Sequence, residues 1–231
     1  MKYFEAQNLR QTFDTTQINV SFQCEKSTMT SIVGPSGSGK STVLRLISGL
    51  NEPSEKVASE MKVFLDGEEV SKKAPSKRQI GMVFQKHTLF DHLKVEDNVA
   101  YGLVSAGMKK KDARCLANDF LKQFELEGFG NRYPDTLSGG EAQRVSLART
   151  LIMKPKLVLF DEPLSALDAP LRKKLAALIR NLQKTFGFTG IMVTHDINEA
   201  KAVSDRIILM KKGEIIWQGN AEDFDEKLML Q

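Results

Sequence analysis

The residues best suited to hold an anion are consecutive: Gly34-Pro35-Ser36-Gly37-Ser38-Gly39-Lys40-Ser41-Thr42. They match G-x-x-x-x-G-K-[ST], a phosphate-binding P-loop. Its glycines carry no side chains, so successive backbone N–H groups can turn inward on a phosphate, and the helix that follows points its positive dipole end at the same anion. Lys40 adds a point charge for the β- and γ-phosphates, and Ser41 a hydroxyl for Mg²⁺. Further on, Asp161 and Glu162 stand side by side after the apolar run Leu157-Val158-Leu159-Phe160. Adjacent carboxylates leaving a buried strand are costly unless they meet cations or substrate. In a chain with a P-loop, Asp161 suits holding Mg²⁺ through its water shell. Glu162 suits polarising water beside the γ-phosphate.

Other groups take meaning from these. Ser138-Gly139-Gly140 opens a helical pattern and offers a second anion site, with Ser138 as cap and Glu141 as its capping-box partner; anion binding and plain capping are compatible readings. His195 follows the apolar run Gly190-Ile191-Met192-Val193-Thr194, so that Lys40, Glu162 and His195 are expected at one sheet edge. Gln85 ends the stretch Arg78-Gln79-Ile80-Gly81-Met82-Val83-Phe84, where a strand meets a loop. Phe13, upstream of the P-loop, reads equally as a base-stacking aromatic or as an edge aromatic covering a sheet.

The elements that must position these residues are legible from periodicity. Met29-Thr30-Ser31-Ile32-Val33 is a buried strand and Val43, Leu44 and Ile47 mark the helix after it. Phe4, Ala6, Leu9 and then Ile18, Val20, Phe22 suggest strands within residues 1–28, and Met61–Leu65 is a strand entering an Asp66-Gly67 turn. The segment Asn51-Glu52-Pro53-Ser54 breaks the pattern. Residues 88–135 turn helical, with one helix over Val95–Leu103 and a stripe of Ala113, Leu116, Ala117, Phe120, Leu121 and Phe124. The apolar loop Leu89–Leu93 before them reads as a core plug or as part of a docking surface. Asp168 and Pro170 read as cap and first turn of a helix through Leu171, Leu175, Leu178, Ile179 and Leu182, closed near Gly187. Arg206–Met210 and Glu214–Trp217 read as a hairpin around Lys212-Gly213.

At 231 residues, 41% hydrophobic and 27% charged, the composition is that of one soluble domain without a membrane span. The N-terminus lacks a signal-peptide core, and Cys24 and Cys115 stand in no paired motif, which suits a reducing cytoplasm with both thiols buried. His87 and His92 lack metal-ligand spacing. Net charge is only +4. The clusters Lys72-Lys73, Lys109–Lys111 and Arg172–Lys174 have no interleaved aromatics and read as solvated faces, so nucleic acid is not expected.

Taken together, the motifs identify a resemblance to the ATP-binding subunit of an ABC transporter over nearly the whole chain. LSGGEAQR at 137–144 precedes LVLFDEP at 157–163, SALD at 165–168 and His195. The pattern VFQ...LF.HL.V..NV at 83–99 resembles bacterial importers of polyamines, sulfate, iron or thiamine. This resemblance implies an α/β fold: a P-loop NTPase core with a mostly parallel sheet and an N-terminal antiparallel β part (1–87 and 136–231), with a helical subdomain inserted at 88–135. It implies an ATPase using ATP and Mg²⁺. Phe13 would stack on adenine; Gln85 would sense Mg²⁺ and water; Ser138, Gly139 and Gly140 would bind the γ-phosphate of ATP on another protomer. Asp168 would act across that interface, Glu162 would be the catalytic base, and His195 would contact the γ-phosphate.

Implied partners are transmembrane permease subunits, a second copy in a head-to-tail homodimer or a paralogous ATPase, and a substrate-binding protein. The implied location is the cytoplasmic face of the inner membrane, held through the permease. The alternative is a stand-alone ATPase of the same kind acting on nucleic acid or ribosomes; such relatives usually carry two cassettes or long insertions, and neither is present here. Intact Lys40, Asp161, Glu162 and His195 argue against a merely regulatory nucleotide-binding module. Against the family pattern, Lys26-Ser27 replaces a usual Gly-Glu turn, Phe13 a commoner tyrosine and Asp91 a common proline, while Ala142 fills a variable position. The sequence also stops before the C-terminal regulatory domain of sugar- and molybdate-type relatives, so control by that route is not expected.

Overall fold

Period-two alternation at the N-terminus gives two long antiparallel strands, β1 (Lys2–Phe13) and β2 (Thr16–Glu25). Phe4, Ala6 and Leu9 are all buried, although the step from 6 to 9 breaks the period. A bulge resolves this: Asn8 adopts φ 52°, the register with β2 shifts between Ala6 and Leu9, and Leu9 returns to the inner face. The displaced Asn8 N–H donates to Ser21 Oγ at 2.9 Å.

The computed structural model describes residues 2–13, 16–52, 60–86 and 88–230, with the side chains of Phe13, Thr16 and Leu230 outside the description. Pro53-Ser54 of the expected break, and His87, also lie outside the described residues.

After β2 the chain enters a second sheet with β3 (Met29–Val33) and the helix α1 (Lys40–Ser48). It returns to the first sheet for β4 (Lys62–Leu65) and β5 (Glu68–Glu69). Asp66 and Gly67 join them with φ of 54° and 79°, the backbone of a tight hairpin turn. Next come β6 (Ile80–Val83), α2 (Val95–Ser105), α3 (Lys110–Leu121), α4 (Gly139–Leu151) and β7 (Leu157–Asp161). The chain closes through α5 (Ala169–Phe186), β8 (Thr189–Val193), α6 (Ile197–Val203), β9 (Arg206–Lys211) and β10 (Glu214–Asn220).

The antiparallel sheet has the order β2-β1-β4-β5 and the larger sheet β10-β9-β3-β8-β7-β6. Within the larger one, β9, β3, β8, β7 and β6 run parallel and β10 is an antiparallel edge. Every residue of β3, β7 and β8 is buried, as parallel strands covered on both faces require. Their alternation divides the core. Leu157, Leu159, Ile191 and Val193 pack with α1 and the antiparallel sheet, while Val158, Phe160 and Met192 pack with the faces of α2, α3, α4 and α5.

Two expectations fail on α3. Leu116 is 48% exposed, because it sits at one edge of the stripe whose centre is formed by Ala113, Ala117, Leu121 and Phe124. Cys115 is exposed rather than buried, since it lies about 200° around the helix from Ala113 at 100° per residue. Cys24 is buried as expected, and burial pushes its thiol up to about 12. Arg172, expected on a solvated face, instead pairs with Asp196 at 3.2 Å and is half-buried.

One buried cation ties the P-loop helix to the strand leading toward Gln85. The Arg78 guanidinium donates to Leu46 O (3.2 Å), Ile47 O (2.8 Å), Ser71 O (2.7 Å) and Lys73 O (2.9 Å). The first two are carbonyls of the last turn of α1, where positive charge is favoured; Leu46 O also accepts from Gly49 N at 3.2 Å. Arg78→Ala removes four donated hydrogen bonds, leaving Leu46 O only its bond from Gly49 N, and should cost about 2–4 kcal/mol in urea unfolding; Arg78→Lys, a point charge without the fork, should recover only part of it.

Candidate functional site

The site lies at the carboxyl ends of three adjacent strands. β8 separates β3 from β7, so the loops after them bring Gly34–Thr42, His195 and Asp161-Glu162 to one edge. A cleft of about 360 Å³ opens there, lined by Ser36, Gly37, Lys40, Ser41 and Thr42, with Glu162 opposite and Ile18 closing one side. Two glycines are dictated by contact. A Cβ on Gly34 would sit 2.0 Å from Met210 O, and one on Gly39, at φ 95°, would sit 2.7 Å from Ile18 Cδ1.

Lys40 is only 5% exposed. Its ammonium donates to Gly34 O at 2.9 Å, Pro35 O at 2.8 Å and Ser38 Oγ at 3.4 Å. Burial lowers its pKa, and the charges of Glu162 and Asp161 pull it back up. The Ser41 hydroxyl donates to Asp161 Oδ1 at 2.6 Å. A hydroxyl and a carboxylate side by side form a hard-oxygen pair of the kind that Mg²⁺ takes, with the remaining ligands from water and phosphate. Among the described residues there is no group of three or more His, Cys, Asp or Glu placed to form an all-protein metal cage.

Glu162 occupies the left-handed region at φ 47°, a strained conformation for a non-glycine residue. Its backbone is fixed on both sides: the N–H donates to Val193 O at 3.0 Å, and the carbonyl accepts from Ser165 N (3.3 Å) and Ser165 Oγ (3.0 Å). Gln85 Nε2 in turn donates to Ser165 Oγ at 3.0 Å. The Glu162 carboxylate meets His195, with Oε2 3.4 Å from Nδ1. Sequence reasoning expected Lys40, Glu162 and His195 at one sheet edge; the contacts also bring Asp161 there through Ser41 and tie Gln85 to Glu162 through Ser165. It gave Ile18 only a place on a strand face and Ser165 only a place in the SALD stretch at 165–168, with no role at the cleft for either.

Ser138, Gly139, Gly140 and Asp168 form a separate cluster, and among the described residues none of them lines the cleft. Ser138 caps α4 through a complete capping box with Glu141. Asp168 Oδ1 accepts from Leu171 N at 2.9 Å and caps α5. The two helix starts touch, since a Cβ on Gly140 would lie 2.7 Å from Leu171 Cδ2. The side chain of Phe13 lies outside the described residues; its backbone pairs with Thr16 of β2.

A second concavity, about 610 Å³, lies between β6 and α4, bordered by Ile80, Met82, Arg149 and Met153. Beside it the Leu89–Leu93 loop is both plug and surface. Leu89 packs on the core, and Asn98 clamps the loop by accepting from Phe90 N and donating to Phe90 O and Leu93 O. The Phe90 and Tyr101 rings lie 4.7 Å apart, tilted by 42°, and Tyr101 is 49% exposed.

Comparison with known proteins places these features. The family model described as "ABC transporter" matches residues 18–165. The chain is 44% identical over 223 residues to the Fe(3+) ions import ATP-binding protein FbpC of Escherichia coli O157:H7, covering 96% of this chain and 63% of that protein. It is 46% identical over 211 residues to the protein of the same name from Photobacterium profundum, covering 91% and 59%. The chain thus spans about six tenths of the length of these curated relatives. Among solved structures, cbiO1 from Clostridium perfringens, part of the ABC transporter complex cbiONQ, superposes with TM-score 0.85 at 29% identity, over 98% of this chain and 92% of that one. The dimeric structure of MJ0796, described as a bacterial ABC transporter cassette, gives 0.81 at 34%, over 96% and 100%.

Proposed function

This chain belongs to the ABC transporter family, and we propose that it binds and hydrolyses ATP at the 34–42 loop to drive a separate membrane permease. The observation that carries this reading is the convergence on one cleft of Lys40, the Ser41–Asp161 pair and the Glu162–His195 pair. Phosphoryl transfer asks the protein for positioning and charge stabilisation more than for covalent chemistry. The backbone N–H groups of Gly37, Gly39, Lys40, Ser41 and Thr42 would face the phosphates. Lys40 exchanges the carbonyls of Gly34 and Pro35 for phosphate oxygens, keeping its buried charge paired. Glu162 orients water for in-line attack on the γ-phosphate, and His195, 3.4 Å from it, contacts the same phosphate. Ser41, Asp161 and Gln85 would hold Mg²⁺, which supplies charge neutralisation at the phosphate oxygens.

A second copy, or a paralogous ATPase, completes the site. Ser138, Gly139, Gly140 and Asp168 stand apart from their own cleft, and the Ser138–Glu141 capping box leaves the Gly139 and Gly140 N–H groups to capture the γ-phosphate held by a facing protomer. The described residues contain no helix long and apolar enough to cross a membrane. We place the chain at the cytoplasmic face of the membrane, with a short permease helix seated between Gln85 and the helices of 88–135. The concavity bordered by Met82 and Met153 and the exposed Tyr101 fit that partner. The relatives named for Fe(3+) import suggest ferric iron as cargo, delivered by a substrate-binding protein.

Light-scattering mass of Glu162→Gln with and without Mg-free ATP tests the two-site reading. The mass should double with ATP. Adding Ser138→Arg should keep the protein monomeric while ATP still binds at Lys40. A protein that stays monomeric with ATP, alongside an unmodified chain that does not hydrolyse it, would overturn the reading.

A further inference from the structure

The cleft contacts leave one question about His195 open: what aims it. Its side chain is 55% exposed, and the Glu162 carboxylate is its one ionic contact among the described residues. Its own packing therefore holds it weakly. The residues on either side are fixed firmly. Thr194 is buried and its N–H donates to Ile32 O at 3.2 Å. Its hydroxyl accepts from Asp196 N at 3.1 Å and donates to Glu199 Oε2 at 3.1 Å. Asp196 Oδ1 accepts from Glu199 N at 3.1 Å, and Oδ2 accepts from Arg172 at 3.2 Å. Residues 194, 196 and 199 thus close a ring of hydrogen bonds around the backbone of His195.

Resting on the ATPase reading, we propose that Glu199 is a positioning residue for His195, clamping through the Thr194 hydroxyl the strand end that aims the imidazole at Glu162.

A carboxyl is an expensive group for this task if capping were all it did. Glu199 is only 7% exposed, and no donor among the described residues reaches its Oε1. Burial pushes it up to about 7; Asp196 and Glu162 add to the rise, while the Thr194 hydrogen bond and Arg172 oppose it. Those are the charged groups facing it: Asp196 from the cap of its own helix, Arg172 from α5, Glu162 from the end of β7. Lys173 and Arg180 border the cavity of about 550 Å³ between α5 and α6 onto which Glu199 opens, and that cavity gives the carboxyl a route for proton exchange. A carboxylate accepts the Thr194 hydrogen bond more strongly than a neutral acid does. The clamp therefore tightens as pH rises through about 7.

The test compares Thr194→Val, Glu199→Ala, their double variant and Glu199→Gln. In steady-state hydrolysis the first three should each lose about tenfold in kcat, with the double variant no worse than either single one, and ATP Kd should stay within about twofold. Glu199→Gln keeps the acceptor but cannot titrate. Its kcat should follow the acid limb of the unmodified chain and lack the step near pH 7. Independently of turnover, the imidazole ¹³Cε1 resonance that disappears in His195→Ala should move to one common position in the first three variants. Losses that multiply in the double variant, a Glu199→Gln profile identical to the unmodified one, or an unmoved resonance would overturn the proposal. If the unmodified chain hydrolyses no ATP, the ATPase reading fails instead, and the resonance alone decides the clamp.

Discussion

Glu162→Gln should slow ATP hydrolysis about 10³-fold while leaving ATP affinity within about twofold. Glutamine keeps the size of the side chain and the same backbone demand, which matters because residue 162 sits at φ 47°. Its contacts to Val193 O and Ser165 are made by the backbone and survive the change. What is lost is the basic oxygen that faces the cleft and His195. Single-turnover hydrolysis of labelled ATP gives the rate, and equilibrium titration with a fluorescent ATP analogue gives the affinity. Removing a negative charge from beside the phosphates works, if anything, in favour of binding. Normal hydrolysis by this variant would move the base assignment elsewhere.

The second large effect is expected at the other wall. Lys40→Ala should weaken ATP binding about 100-fold or more, which corresponds to two charge-assisted hydrogen bonds of about 1.5 kcal/mol each. The fold should tolerate the change. Gly34 O and Pro35 O lose the ammonium they now accept from, but Lys40 itself lines the cleft, so the space its side chain vacates lets water reach them. Thermal melting by circular dichroism checks that the variant is folded, and the same analogue titration reads the affinity. Lys40→Arg should not rescue binding, because the slot that leaves Lys40 5% exposed was shaped around an unbranched chain.

The legible part of this molecule is the part in which chemistry is contiguous. The 34–42 loop carries its own pattern, and Asp161-Glu162 and His195 end runs of buried β-branched and apolar residues, so parallel strands and a shared edge follow from periodicity. What was not legible depends on partners far along the chain. Arg78 reads as the first residue of a strand, yet its guanidinium serves carboxyl-end carbonyls of a helix about thirty residues earlier. Ser165 sits within a motif, but only the fold brings Gln85 onto its hydroxyl. Asn8 breaks an alternation that a bulge restores. Ser27, at the departure from the usual turn, takes φ 57°. Bonds to Gly187 O (2.7 Å) and Thr189 Oγ1 (2.9 Å) hold it there, contacts to residues about 160 positions away. Cys115 shows the converse error: composition alone suggested burial, and the helical angle decided otherwise.

The separation of the cleft from the Ser138–Gly140 and Asp168 cluster has a genetic consequence. In the two-copy assembly we propose, each gene copy specifies both halves of a composite site, and each site joins the cleft of one chain to the cluster of the other. In a homodimer a defect in either half is therefore felt at both nucleotides. In a mixed pair, a chain defective in its cleft and a chain defective in its cluster still assemble one intact site between them, so two inactive alleles can complement each other. The contact between Gly140 and Leu171 binds the two helix starts of the cluster into one plate, and a lesion in either start counts as the same lost half.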